Sequence, residues 1–123
     1  MTGFVVSRER FEELVGDALD SIPEELGSQM DNVVVLVEEW PTAEQLDGHG
    51  MLFGLYEGVD LTRRGPMSYE LAAPDRITIF QGSLQQVARD EADLATQVRT
   101  TVLHEVGHHF GLSDDRLDEL GWA

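Results

Sequence analysis

Apolar residues follow a helical period at both ends of the chain and form short unbroken runs between them. Near the N-terminus they recur every three or four positions, which predicts a helix with one apolar face. These residues are Phe11, Leu14, Val15, Ala18 and Ile22. Ser7 is a suitable N-cap for this helix, which we expect to run to about Leu19. Pro23 and Gly27 then interrupt the pattern.

Three short runs in the middle of the chain predict strands. The run from Val33 to Val37 is unbroken and β-branched, which favours an inner strand covered on both faces. Met51 to Tyr56 and Arg76 to Phe80 predict a second and a third strand. The stretch from Gly58 to Pro74 is the least regular part of the chain, and no element is predicted there.

The last third of the chain is predicted to be helical, with one interruption. Ser83 and Gln86 match a capping box, which marks the start of a helix. We expect a break or kink near Asp90 to Asp93, after which a helix continues to about His109. Gly111 supplies the C-cap chemistry that ends it. Residues at i+4 spacing form its predicted buried face: Leu94, Val98, Val102 and Val106.

Composition narrows the class of protein. A chain of 123 residues suits a single domain, 1–123, and no apolar run is long enough to cross a bilayer. The N-terminus has no signal-peptide pattern, so we expect a cytoplasmic location and no membrane partner. The formal net charge of −16 argues against nucleic-acid binding, because phosphates need cationic partners. Because cysteine is absent, a zinc site must use His, Asp or Glu.

The candidate chemistry lies between His104 and Asp114, where the sequence reads H-E-x-x-H-x-x-G-x-x-D. Two histidines four positions apart share one face of a helix, so both imidazoles can reach one metal ion. This face lies to one side of the apolar stripe, where a cleft can form. We therefore predict that His104 and His108 bind zinc. Glu105 is the residue type that zinc hydrolases use as a general base.

A zinc ion that keeps one position open for water needs a third protein ligand. Only residues 109–123 follow the second histidine, which leaves almost no chain for a distant ligand-bearing helix. Gly111 can adopt a left-handed conformation and fold the chain back, which favours Asp114 as the third ligand. Asp115 and Glu119 are the fallbacks. The structural alternative for Asp114 is an N-cap of a last short helical turn, expected at Asp115 to Leu120.

Other side chains are weaker candidates. His109 points away from the ligand face, and we expect it to be a packing or solvent-exposed residue. His49 lies in a loop flanked by glycines, where a plain loop role is expected. The candidates for stabilising an oxyanion are phenolic or cationic, and none is favoured over the others: Tyr56, Arg63, Arg64 and Tyr69.

With these residues in view, the chain resembles the small bacterial zincin-like metallopeptidase family, and its motif resembles that of zincins with an aspartate ligand, the Asp-zincins. The segments that carry the resemblance are Gly54 to Gly58, Leu61 to Gly65, Pro74 to Phe80 and His104 to Leu117. The resemblance implies a minimal zincin-like, two-layer α+β fold. A small mixed sheet would pack on helices, with the metal-binding helix near the C-terminus. It also implies zinc on His104, His108 and Asp114, with Glu105 as catalytic base.

The sequence thus predicts a zinc-dependent metallopeptidase that hydrolyses a peptide or protein substrate. The alternative is a zinc-binding regulatory or interaction protein of zincin fold with little or no peptidase activity. A third hypothesis is a zinc hydrolase that acts on a small amide. Larger zincins bind peptide along a rim strand, but here the corresponding stretch, Gly58 to Ala73, is interrupted by Gly65 and Pro66. An incomplete cleft is compatible with a monomer or a homodimer.

Overall fold

The fold is α+β, as predicted, with a small mixed sheet and helices packed against it. The computed structural model describes residues 3–28, 30, 33–48, 50–58 and 75–120. The elements are α1 (Arg8–Asp20), α2 (Glu24–Gly27), β1 (Val33–Glu38), α3 (Ala43–Leu46), β2 (Gly54–Glu57), β3 (Asp75–Phe80), α4 (Gln81–Val87), α5 (Glu91–His109) and α6 (Asp114–Leu120). In these ranges, no helix is both long enough and apolar enough to cross a membrane.

The central strand of the described sheet is β3, in the order β1-β3-β2. β1 runs parallel to β3, with Val35 opposite Ile77, and β2 runs antiparallel to it, with Gly54 opposite Ile79. Every residue of β3 except Arg76 is buried. The strand directly precedes α4 and lies against the middle of the core.

The prediction that β1 is an inner strand covered on both faces is wrong. β1 lies at an edge of the described sheet, and its side chains alternate between half-buried and exposed. Val33, Val35 and Val37 pack on the core, whereas Val34 and Leu36 are 41% and 36% exposed. An unbroken apolar run is sufficient to predict a strand, but the position of that strand depends on which segments pair with it.

The core lies between the sheet and the two long helices, α1 and α5. Both predicted apolar faces are confirmed, because α1 buries its 3.6-period residues and α5 buries its i+4 stripe. The stripe residues of α5 are fully buried: Leu94, Val98, Val102 and Val106. The packing of this stripe therefore sets the rotation of α5 about its axis. The predicted start of α1 is also confirmed, since Ser7 Oγ accepts a hydrogen bond of 3.0 Å from the Arg10 N–H.

The capping box predicted at Ser83 is wrong, whereas the predicted interruption of the helical region is confirmed. α4 begins at Gln81, directly after β3, and Phe80 at the cap position makes no side-chain hydrogen bond. Ser83 lies buried inside this helix. α4 ends at residue 87, and a new helix starts where Asp90 accepts a hydrogen bond of 2.8 Å from the Asp93 N–H.

The predicted stop at Gly111 is confirmed in detail. Gly111 has φ +79°, a left-handed conformation that favours glycine. Its N–H donates to the His108 carbonyl at 2.9 Å, and the Leu112 N–H donates to the Gly107 carbonyl at 3.0 Å. These two bonds form a Schellman motif. The chain then turns back and forms α6, which begins at Asp114, one residue earlier than predicted.

Candidate metal centre

The last two turns of α5 present His104 and His108 side by side. Their ring centroids are 4.6 Å apart, with an interplanar angle of 74°. Each side chain is about a third exposed, 28% for His104 and 32% for His108. The neighbouring Val102 and Val106 are fully buried. The apolar stripe therefore holds the helix while the histidine pair faces the solvent side of the cleft.

Asp114 lies next to both histidines. Its Oδ1 atom is 3.4 Å from His104 Nε2 and 3.0 Å from His108 Nε2. The cap of α6 is Ser113, whose Oγ accepts a hydrogen bond of 3.2 Å from the Arg116 N–H. Asp114 is therefore not the N-cap of that helix, which removes the structural alternative considered for it. Its carboxylate faces the imidazole pair.

The two separations between the Asp114 oxygen and the imidazole nitrogens fit a zinc ion. Zinc bonds to nitrogen and oxygen of roughly 2.0–2.2 Å place adjacent tetrahedral ligands about 3.3–3.6 Å apart. The two separations between imidazole nitrogen and carboxylate oxygen, 3.4 and 3.0 Å, are close to that value. Two imidazoles and one carboxylate also match the donor types of catalytic zinc sites. The residues present could therefore hold zinc and leave a fourth position for water.

Glu105 lies on the same helical turn, at the buried side of the pair. Its side chain is 9% exposed, and its Oε1 atom is 3.3 Å from His108 Nδ1. One ligand atom from each of His104, Glu105 and His108 lies within 4.8 Å of the others. A Cβ added to Gly54 of β2 would lie 3.1 Å from Glu105 Cγ and 2.7 Å from Thr101 Cγ2. A Cβ here would overlap Thr101, so the glycine lets β2 pack closely on α5 beside the glutamate.

The electrostatics of the site are dominated by the contacts between carboxylates and His108. The hydrogen bond to Glu105 is the main reason that the pKa of His108 is raised to about 9, and Asp114 adds to the shift while partial burial opposes it. The hydrogen bond between Asp114 and His108 lowers the pKa of Asp114. These carboxylates stabilise positive charge at the imidazole, and a divalent cation would gain from the same field.

A cleft of ≈390 Å³ lies beside the histidine pair. One wall is formed by the segment that leads into β2, with the apolar residues Met51, Leu52 and Phe53. The other wall is a face of α5 that includes the half-buried His104 and the buried Glu105. A molecule that occupies this cleft would contact the motif directly.

His109 is a packing residue, one of the two roles expected for it. It is 1% exposed, and its Nδ1 atom is 2.7 Å from Asp75 Oδ2. Tyr56, one of the oxyanion candidates, donates its hydroxyl to the same oxygen at 2.6 Å. The other weak candidates lie outside the described residues: His49, Arg63, Arg64 and Tyr69. The interrupted stretch beyond Gly58, where a rim strand was considered, also lies outside them.

Gly107 and Leu117 support the site, a role that was not predicted for either of them. Leu117 of α6 is fully buried, and a Cβ added to Gly107 would overlap its side chain. Leu117 thus packs on α5 through the gap that the glycine leaves, which holds Asp114 beside the histidines. A glycine within an otherwise regular helix signals a close approach at that position, but it does not identify the partner.

Comparisons with known proteins agree with this architecture. The sequence model described as zincin-like metallopeptidase matches residues 30–122. The solved structure of a conserved hypothetical protein from Thermus thermophilus is similar, with a TM-score of 0.55 and 26% sequence identity. The likeness covers 94% of this chain and 97% of that chain. No curated protein sequence matches the chain significantly.

Proposed function

Because the chain belongs to the zincin-like metallopeptidase family, we propose that it is a zinc-dependent peptidase. One observation carries the proposal: His104 and His108 both direct Nε2 at the same oxygen of Asp114, at 3.4 and 3.0 Å. Glu105 lies beside them, nearly buried. We assign the two imidazoles and the aspartate to zinc, and Glu105 to the role of general base.

The proposed reaction is hydrolysis of a peptide bond. Bound zinc would supply Lewis-acid chemistry, because it polarises a carbonyl and lets water release a proton near neutral pH. Glu105 accepts that proton at its carboxylate and delivers it to the nitrogen of the leaving amine. One water is consumed, and the products are one carboxylate and one amine. The close packing of Gly54 on Glu105 holds the base in place during both transfers.

The cleft supports a substrate with an apolar side chain near the scissile bond. Its wall of Met51, Leu52 and Phe53 removes apolar surface from water when such a side chain binds.

The decisive experiment is the substitution Glu105→Gln. It retains the shape of the side chain and removes the base, so hydrolysis should fall by about 10²–10⁴-fold while zinc stays bound. Cleavage is measured by mass spectrometry on a peptide library, and zinc by elemental analysis. Glu12→Gln, an exposed position on α1, serves as the matched control and should behave as wild type.

The competing function is a zinc-binding regulatory or interaction protein of the same fold. It would be supported if wild type binds zinc but cleaves no better than Glu105→Gln. Simple amides included beside the peptides separate a peptidase from a small-amide hydrolase. Preference for simple amides would retain Glu105 as the base and change only the substrate.

A further inference from the structure

A buried polar network lies behind the metal-motif helix and consists of Tyr56, Asp75 and His109. Asp75 and His109 are each 1% exposed. Asp75 Oδ2 accepts hydrogen bonds from Tyr56 Oη at 2.6 Å and from His109 Nδ1 at 2.7 Å. The Tyr56 and His109 rings also meet edge to face, with centroids 5.9 Å apart. Hydrogen bonds to a buried carboxylate are strong and directional.

The network joins the elements that build the site. Tyr56 belongs to β2, Asp75 is the first residue of β3, and His109 is the last residue of α5. β2 also contacts Glu105 through Gly54, at the other end of the strand. His109 directly follows His108 in the chain and precedes the turn that leads to Asp114. A displacement of His109 would therefore move two of the three proposed ligands.

Burial alone does not explain these polar residues. α5 is already attached to the core by its apolar stripe, and a polar group in such surroundings is costly unless it is bonded. His109 Nε2 is buried and has no hydrogen-bond partner among the described residues. An apolar side chain would avoid that cost. What it could not provide is the directional bond from Nδ1 to Asp75.

We propose that Tyr56, Asp75 and His109 are positioning residues, which hold the last turn of α5 so that His108 and Asp114 keep the spacing that zinc requires. The proposal rests on the proposed zinc site. Apolar contacts tolerate small rotations and shifts of a helix, whereas hydrogen bonds of 2.6 and 2.7 Å to one carboxylate oxygen do not. Gly58 leaves room for this carboxylate, because an added Cβ there would overlap Asp75.

The test compares His109→Leu, which removes the donor, with His109→Asn, whose side-chain N–H lies the same number of bonds from the backbone as Nδ1. Tyr56→Phe removes a single hydroxyl and is the mildest variant. The readouts are the zinc dissociation constant from chelator competition, the visible absorption of the Co²⁺-substituted protein, and the Tm without metal.

The matched control is Gln85→Leu. Gln85 is a buried polar residue that accepts hydrogen bonds from the Val6 N–H at 2.8 Å and from Gln81 Nε2 at 3.1 Å. It does not line the cleft beside the histidine pair. Its loss should lower the Tm and leave zinc binding unchanged.

We expect His109→Leu and Tyr56→Phe to weaken zinc binding about 10–100-fold and to alter the Co²⁺ spectrum. His109→Asn should restore most of the affinity. The proposal is overturned if these variants lose stability as Gln85→Leu does and retain wild-type zinc affinity and spectrum. If His109→Leu does not fold, the zinc affinity of Tyr56→Phe decides the question, and a wild-type affinity overturns the proposal. A wild-type chain that binds no zinc would overturn this proposal and the proposed function together. A chain that binds zinc but cleaves no peptide would overturn only the peptidase activity.

Discussion

At the scale of the residue, His108 concentrates the electrostatics of the site. Its Nδ1 atom is 3.3 Å from a Glu105 oxygen, and its Nε2 atom is 3.0 Å from an Asp114 oxygen. Both contacts stabilise the protonated imidazole, and the pKa rises from 6.5 to about 9. Zinc would bind Nε2 only after this nitrogen has lost its proton, so a proton and the metal compete for His108.

The first prediction concerns stability against pH without metal. Because the pKa of His108 is higher in the folded chain than in the unfolded chain, its contribution to stability is complete below pH 6.5 and is lost as pH rises through about 9. In the presence of a chelator, Tm should therefore fall more steeply over this range in wild type than in His108→Gln. Thermal melts at several pH values measure this. Parallel curves for the two proteins would contradict it.

The second prediction separates Asp114 from its neighbour. Asp114→Ala should weaken zinc binding by at least about tenfold. A loss of about tenfold is seen when a residue that only orients a metal ligand is removed, and Asp114 is itself a proposed ligand. Asp115→Ala removes an equally charged, exposed carboxylate one position away and should have little effect. Chelator competition gives both dissociation constants. A larger effect at Asp115 would transfer the ligand role to that fallback residue.

At the scale of the element, the site depends on close approaches that only glycine permits. β2 contacts α5 at Gly54, and α6 contacts α5 at Gly107. Helix propensity alone would disfavour a glycine at position 107, since alanine is better by about 1 kcal/mol in a helix interior. Tertiary packing reverses this preference, because Leu117 occupies the space of the missing side chain.

The third prediction follows from that reversal. Gly107→Ala should destabilise the protein and weaken zinc binding, because α6 and Asp114 must move away from α5. Gly16→Ala is the matched control in α1: a Cβ there meets nothing within 4 Å, so it should stabilise the chain by about 1 kcal/mol or less. Denaturant unfolding and zinc titration measure both. Equal gains in stability for the two variants would show that Leu117 does not pack on Gly107 in solution.

Element positions also show where prediction from sequence succeeds. Ser7, Asp90 and Gly111 act through bonds within a few residues, and the helix ends that they mark are where they were expected or nearly so. The start of α4 was missed because β3 runs straight into it and Phe80 makes no side-chain cap hydrogen bond. The edge position of β1 was missed because a β-branched run carries no information about its neighbours.

At the scale of the whole molecule, the acidic balance and the proposed zinc site act together. A net charge of −16 leaves the metal-free chain with unfavourable self-repulsion and attracts cations from solution. A bound divalent ion at the junction of α5 and α6 would relieve part of that repulsion and connect the C-terminal helix to the rest of the fold. The oligomeric state and the cytoplasmic location stay predictions from the sequence.

The fourth prediction is that zinc stabilises the fold. Free zinc at 100 times its dissociation constant should add about 2.7 kcal/mol, and a chelator should reverse the resulting rise in Tm. Mg²⁺ at the same concentration tests for simple charge screening and should have a smaller effect. His104→Ala should lose the response to zinc. A response to Mg²⁺ as large as that to zinc would assign the effect to the acidic surface.

The sequence by itself determined the helical periods, most of the helix ends and the motif that brings His104 and His108 to one face with Glu105 beside them, because these depend on spacing within one segment. The tertiary structure alone decided the strand order, the contact between Gly107 and Leu117, and the meeting of Tyr56, Asp75 and His109. These residues lie far apart in the chain or become neighbours only after the helices pack. Their contacts depend on directional hydrogen bonds and on the space left between elements, and neither is encoded in a local pattern.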